Sequence, residues 1–111
     1  MLAAWHFISA ESRENDCAVV AMLGSSQRIP ESCLPAFAGK RIRIFVHSDT
    51  AGRQATLRWN RSLKPVTSLV DDFVFTGYHQ ANGEPVADLN DLSSVDANDF
   101  EQFRELQNLC P

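Results

Sequence analysis

The sequence predicts an α/β domain, a mainly parallel sheet flanked by helices. Segments with helical spacing alternate with short strand-like runs, in the order helix, strand, helix, strand, helix, strand, helix, as expected when crossover helices join parallel strands. The run Arg41 to His47 (Arg-Ile-Arg-Ile-Phe-Val-His) is rich in β-branched and aromatic residues and carries the clearest strand signal. Just after it, Ala55, Trp59 and Leu63 recur every four residues, which places them on one face of a helix.

Taken in order, Leu2 to Ala10 carries apolar residues at Leu2, Trp5, Phe7 and Ile8, a helical stripe that the polar stretch Glu11 to Asp16 interrupts. Ala18 to Leu23 (Ala-Val-Val-Ala-Met-Leu) is an unbroken apolar run, the pattern of a strand buried on both faces, and Gly24-Ser25-Ser26 stops it. Pro30 to Phe37 is expected to form a short helix, with Gly39 supplying a positive φ at its exit. After the strand at Arg41 to His47, Asp49-Thr50-Ala51-Gly52 leads into a helix that runs to about Leu63 and is ended by Pro65. Val70 to Phe75 reads as a strand nearer the sheet edge, because it carries Asp71 and Asp72. A polar loop with Asn82-Gly83 follows, and a last helix is expected over about Ala97 to Leu109, burying Phe100, Phe103 and Leu106.

The bulk properties bound the function. At 111 residues and 44% hydrophobic content the chain fits one domain with one core. It has no apolar run of about 18 residues and its start lacks a signal-peptide pattern, so a soluble, cytoplasmic protein without membrane contact is expected. Cys17, Cys33 and Cys110 are odd in number and scattered, offering neither a disulfide framework nor zinc spacing. The net charge of -4 gives no overall attraction to a polyanion, so any nucleic-acid contact must come from a local basic face or another domain.

In parallel sheets ligands gather beyond the carboxyl ends of the strands, which singles out His47, Ser48 and Asp49. Asp49 can aim a carboxylate at a hard cation, with Gly52 allowing close backbone approach, or it can simply cap the following helix. Arg53, Arg58, Arg61 and Lys64 make that helix basic; the last three lie at three-residue steps. They form either a phosphate-contacting face or a solvated one whose later cations complement the helix dipole. Gly24-Ser25-Ser26 reads as an ordinary turn rather than a phosphate loop, since it lacks a Walker lysine or a GxGxxG pattern.

The stretch Ile44-Phe45-Val46-His47-Ser48-Asp49-Thr50-Ala51-Gly52-Arg53-Gln54-Ala55 resembles the motif of Toprim domains, the metal-binding modules of primases and topoisomerases: an apolar strand, Asp-x-Asp-x-Ala-Gly, then a helix. Gly39 to Ile44 resembles the family's lead-in to this strand, Ala21-Met22-Leu23-Gly24 its preceding strand, and Asp88-Leu89-Asn90-Asp91 the late acidic motif of primase-type members. The resemblance covers roughly residues 2 to 95 and implies a Rossmann-like fold in a DNA primase-type or mobile-element replication protein. It places Asp49 and His47 at catalytic positions and makes Asp49, Asp88 and Asp91 candidate ligands of Mg²⁺ or Mn²⁺. Nucleotide or nucleic-acid phosphates would then meet Arg53, Arg58, Arg61 and Lys64.

Three positions depart from the family pattern. The family's glutamate follows its first strand, whereas this chain opens inside the helix beyond it, so strand and glutamate are both missing. His47 stands where the first aspartate of the pair belongs, and Asn90 where a second late acid often stands. Imidazole suits Zn²⁺, Mn²⁺ or Ni²⁺ better than Mg²⁺. His47 thus shifts or weakens metal binding, contacts a phosphate when protonated, or only ends the strand. The expectation is a partial domain, inactive by itself, belonging with other domains of a larger protein, or else a non-catalytic interaction module. The absent strand would lie between the runs Ala18 to Leu23 and Arg41 to His47. The gap would be closed by direct pairing of those two runs or by a second copy at an exposed edge.

Overall fold

A computed structural model of the chain describes residues 2–24, 26–95 and 108–111. The expected last helix falls almost wholly on residues 96–107, outside the described set. The chain divides into two compact units, Met22–Val74 on one hand and Met1–Ala21 with Phe75–Pro111 on the other.

The unit Met22–Val74 is built on a parallel βαβ element. Strand β1 (Arg41–Phe45) and strand β2 (Leu69–Phe73) form a two-stranded parallel sheet, and the 14-residue helix α2 (Thr50–Leu63) connects them. Parallel strands cannot be joined by a tight turn, so the helix is the required crossover. The register pairs Ile42 with Val70, Arg43 with Asp71 and Phe45 with Phe73. Main-chain bonds extend the pairing upstream, with the Ser68 amide donating to the Lys40 carbonyl at 3.0 Å and that of Gly39 to Val66 at 2.9 Å.

Alternation along β1 separates its side chains. Ile44 is buried with Ala55, Trp59 and Leu63 of α2, and Ile42, Val46 and Val70 pack against that cluster. Arg43 and Phe45, pointing the other way, meet their register partners. The Arg43 guanidinium grips Asp71 bidentately, Nε to Oδ1 and Nη2 to Oδ2 both at 2.9 Å, while the rings of Phe45 and Phe73 lie 5.5 Å apart. These two cross-strand pairs lie on the same face, away from α2, and agree on one register.

Helix α2 ends as its sequence requires. Beyond Leu63, Pro65 cannot continue the ladder, and the Leu63 carbonyl instead accepts from the amides of Val66 and Thr67 and the Thr67 hydroxyl. Upstream, Pro30 to Phe37 does form a short helix, but of the tighter 3-10 type over Glu31–Phe37, with Pro35 inside it. Gly39 follows at φ +70°.

The run Ala18 to Leu23 is not a strand. Val20 is 64% exposed and Leu23 96% exposed, and of this run it is Met22 that packs against the α2 cluster. The apolar face of α2 is already filled by β1, β2, Ile29, Leu34 and Phe37, so a further strand is not needed to cover it. Direct pairing of this run with Arg41 to His47 does not occur either: among the described residues the sheet has two strands, β1 and β2.

In the other unit, helix α1 (Leu2–Ala10) spans the expected residues. Ile8 is buried, whereas Trp5 is half exposed. Among the described residues of this unit, Phe75, Val86, Leu92 and Leu109 are also buried. Asn82-Gly83 forms the tip of a tight turn: Gly83 adopts φ +87°, and the Gln80 amide donates to the Glu84 carbonyl at 2.8 Å. Among the described residues no helix is long and apolar enough to cross a membrane.

Candidate functional site

The carboxyl end of β1 runs through Val46, His47 and Ser48 into the N-cap of α2, Asp49. Asp49 is extended (φ -127°, ψ 178°), and its Oδ1 accepts from the Gly52 amide at 2.7 Å. This satisfies one of the amides that a helix start leaves without an intrahelical partner, and puts a negative charge at the positive end of the helix dipole. The Arg53 amide donates to the Asp49 carbonyl at 3.0 Å, closing the first turn.

Gly52 is constrained by contact rather than by φ. A Cβ there would sit on the carbonyl oxygen of His47, well inside van der Waals contact, and 3.2 Å from Asp49 Oδ1. Only glycine lets the α2 backbone come this close to the strand exit. The sequence pattern Asp-Thr-Ala-Gly thus has a local physical cause: the aspartate caps the helix and the glycine admits it against β1.

His47 and Asp49 are both exposed at this end. Their donor set is one carboxylate, with one oxygen already accepting an amide, and one imidazole. Mg²⁺ requires close to six oxygen donors, so these residues fit a largely hydrated cation rather than a clamped one. Among the described residues no group of three or more His, Cys, Asp and Glu side chains could hold a metal ion.

Asp88 and Asp91 belong to the other compact unit. Asp88 Oδ1 accepts from the Asp91 amide at 2.9 Å, and Asp91 Oδ2 accepts from the Ala87 amide at 3.0 Å. Their carboxylates hold the turn into the short 3-10 helix Asp91–Ser94. Both acids therefore have local structural work, as Asp49 does.

Of the basic residues on α2, Arg53, Arg61 and Lys64 are exposed and Arg58 is half-buried. Arg53 Nη2 donates to Thr50 Oγ1 at 3.2 Å, which ties it to the first turn beside Asp49. Exposed Leu57 lies on the same helix. The charged pair that sequence reasoning missed is Arg43–Asp71, which becomes visible only once the parallel register is known.

The capping role of Asp49 has a direct test. Asp49→Ala is expected to lower stability by about 0.5–2 kcal/mol, and Asp49→Asn by less, since asparagine also caps. Urea unfolding of the two variants checks this; equal losses would mean that the cap hydrogen bond contributes nothing.

No family model matches the chain, and comparison with curated proteins and with solved structures finds none similar to it.

Proposed function

We propose that this chain is a Toprim-like domain of a DNA primase-type or mobile-element replication protein, which meets nucleotide or nucleic-acid phosphates and, weakly, a divalent cation at the carboxyl end of β1. The observation that carries this reading is the parallel β1–α2–β2 element with Asp49 at the strand exit and Gly52 packed on His47. Ligands of parallel α/β units collect at that end of the strands. Arg53, beside Asp49, and Arg61 and Lys64 farther along α2 supply cations for a phosphate backbone.

The reading does not extend to phosphoryl transfer by this chain. That chemistry needs the ion clamped by several carboxylates, and the strand exit of β1 offers Asp49 together with an imidazole. A second reading, a non-catalytic interaction module, is favoured by one observation: Asp49, Asp88 and Asp91 each spend a carboxylate oxygen on a main-chain amide.

Titration with Mg²⁺ and Mn²⁺, followed by NMR, separates the two. The first reading predicts shifts, or broadening with Mn²⁺, centred on His47 to Gly52 at millimolar metal and lost in Asp49→Asn. A silent spectrum favours the interaction module. Binding of a single-stranded oligonucleotide is expected to weaken with salt, and Arg61→Gln with Lys64→Gln to lower the log–log salt slope by about one per phosphate contact removed. An unchanged slope would mean that this helix face does not touch phosphate.

A further inference from the structure

The apolar run Ala18 to Leu23 (Ala-Val-Val-Ala-Met-Leu) has the composition of a strand and no strand to pair with. Among the described residues no hydrogen bond reaches it. Main-chain bonding stops upstream at the Cys17 amide, which donates to the Arg13 carbonyl at 2.9 Å, and resumes at the Gly24 carbonyl, which accepts from the Gln27 amide at 3.1 Å. Ala18, Val20, Ala21 and Leu23 are exposed, Val20 at 64% and Leu23 at 96%. A row of main-chain donors and acceptors left to solvent, beside exposed aliphatic side chains, is a template for pairing with another strand.

Charge decides which strand fits. Copies of one chain associate most simply about a two-fold axis, where an edge meets its own counterpart and the strands run antiparallel. Pairing through β1 would set Arg41 and Arg43 against the same arginines, and pairing through β2 would do so with Asp71 and Asp72; like charges placed opposite one another oppose such a ladder. Charged side chains guard an edge against foreign strands as well. Ala18 to Leu23 carries no charge, no glycine and no proline, and two copies laid antiparallel bring their valines together and shield them from water.

We propose that Ala18 to Leu23 is a self-association edge, which pairs antiparallel with the same run of a second copy of this chain and closes a two-fold dimer. Each copy gains main-chain bonds that it lacks alone, and Val20 of one copy lies opposite or diagonal to Val20 of the other. A two-stranded ribbon is weak by itself, so the dimer forms reversibly and grows with protein concentration. The pairing uses no residue of β1, α2 or β2, so it is independent of any phosphate or cation at Asp49.

The test is sedimentation velocity of the full chain under reducing conditions, from micromolar to millimolar concentration. A monomer is expected at the low end and a dimer at the high end. Val20→Pro removes an amide that the ladder needs and the single chain leaves unused; with one ladder bond lost per copy, it should weaken the dimer by about tenfold. Val20→Lys and Val20→Glu should each stay monomeric alone and dimerise when mixed, because their opposite charges then meet across the ribbon. In a mixture of isotope-labelled and unlabelled protein, intermolecular NOEs should join the run to itself in antiparallel order. A monomer at millimolar concentration, a dimer that Val20→Pro leaves intact, charge variants that stay apart when mixed, assemblies beyond the dimer, or intermolecular NOEs from the run to β1 or β2 would each overturn the proposal.

Discussion

Trp59→Ala is expected to be the most damaging single substitution in the unit Met22–Val74, lowering stability by about 3–5 kcal/mol. Trp59 is 7% exposed, lies between Ala55 and Leu63 on the face of α2 that covers Ile44, and donates from Nε1 to the Gln27 carbonyl at 2.8 Å. The alanine variant loses the buried ring and leaves a carbonyl without its donor. A small α/β unit has a total stability on the order of 5–15 kcal/mol, so this loss removes much of it. Trp59→Phe separates the contributions: the ring contact largely remains, and the missing hydrogen bond accounts for about 0.5–1.5 kcal/mol. Urea unfolding followed by far-ultraviolet circular dichroism measures both. A loss below about 1 kcal/mol for Trp59→Ala would mean that α2 does not pack through this face.

Gly52→Ala should destabilise despite alanine's better helix propensity. Propensity alone would favour the substitution by about 1 kcal/mol. Against it stands a Cβ placed on the His47 carbonyl oxygen and close to Asp49 Oδ1, where the obstacle is backbone and cannot swing aside. Forcing the chain apart costs about 1–3 kcal/mol or more and separates the Asp49 cap from the Gly52 amide. Thermal unfolding is the simplest readout: a lower melting temperature is expected, and a raised one would show that the helix start does not press on the strand exit. The same substitution should abolish any metal response around His47 and Asp49, because it moves both.

What could be read from residues alone follows from periodicity. Leu2 to Ala10 has a helical stripe, Arg41 to Phe45 is dense in β-branched and aromatic residues, and Ala55, Trp59 and Leu63 keep one face of α2, so these elements were legible. The capped strand–helix junction was legible too, because aspartate and glycine at that spacing have specific backbone uses. Ala18 to Leu23 misled for a physical reason. A short apolar run has no period, and whether it pairs depends on whether a neighbouring strand needs a partner and whether a helix face remains to be covered. Here α2 is already covered, and Val20 and Leu23 are left to solvent.

Asp49 stands at the end of β1 as its position in the sequence suggests, while the carboxylates of Asp88 and Asp91, in the other compact unit, accept from amides of their own turn. The spacing of Asp88 and Asp91 allows that local use, in which a side chain accepts from an amide three residues on. The Arg43–Asp71 pair depends on strand register, which has no local sequence signature.

Met22–Val74 folds as a parallel βαβ element with Arg43 opposite Asp71 and Phe45 opposite Phe73. Interstrand NOEs between the backbone protons of β1 and β2 test it most directly. The parallel register predicts main-chain contacts between the neighbourhoods of Arg43 and Asp71, running in the same direction from Arg41/Leu69 to Phe45/Phe73, with slowed amide exchange along both strands. Contacts running in opposite directions, or a ladder joining Arg41 to Phe45 with Ala18 to Leu23 instead, would contradict the account of the fold and the position of Asp49 that rests on it.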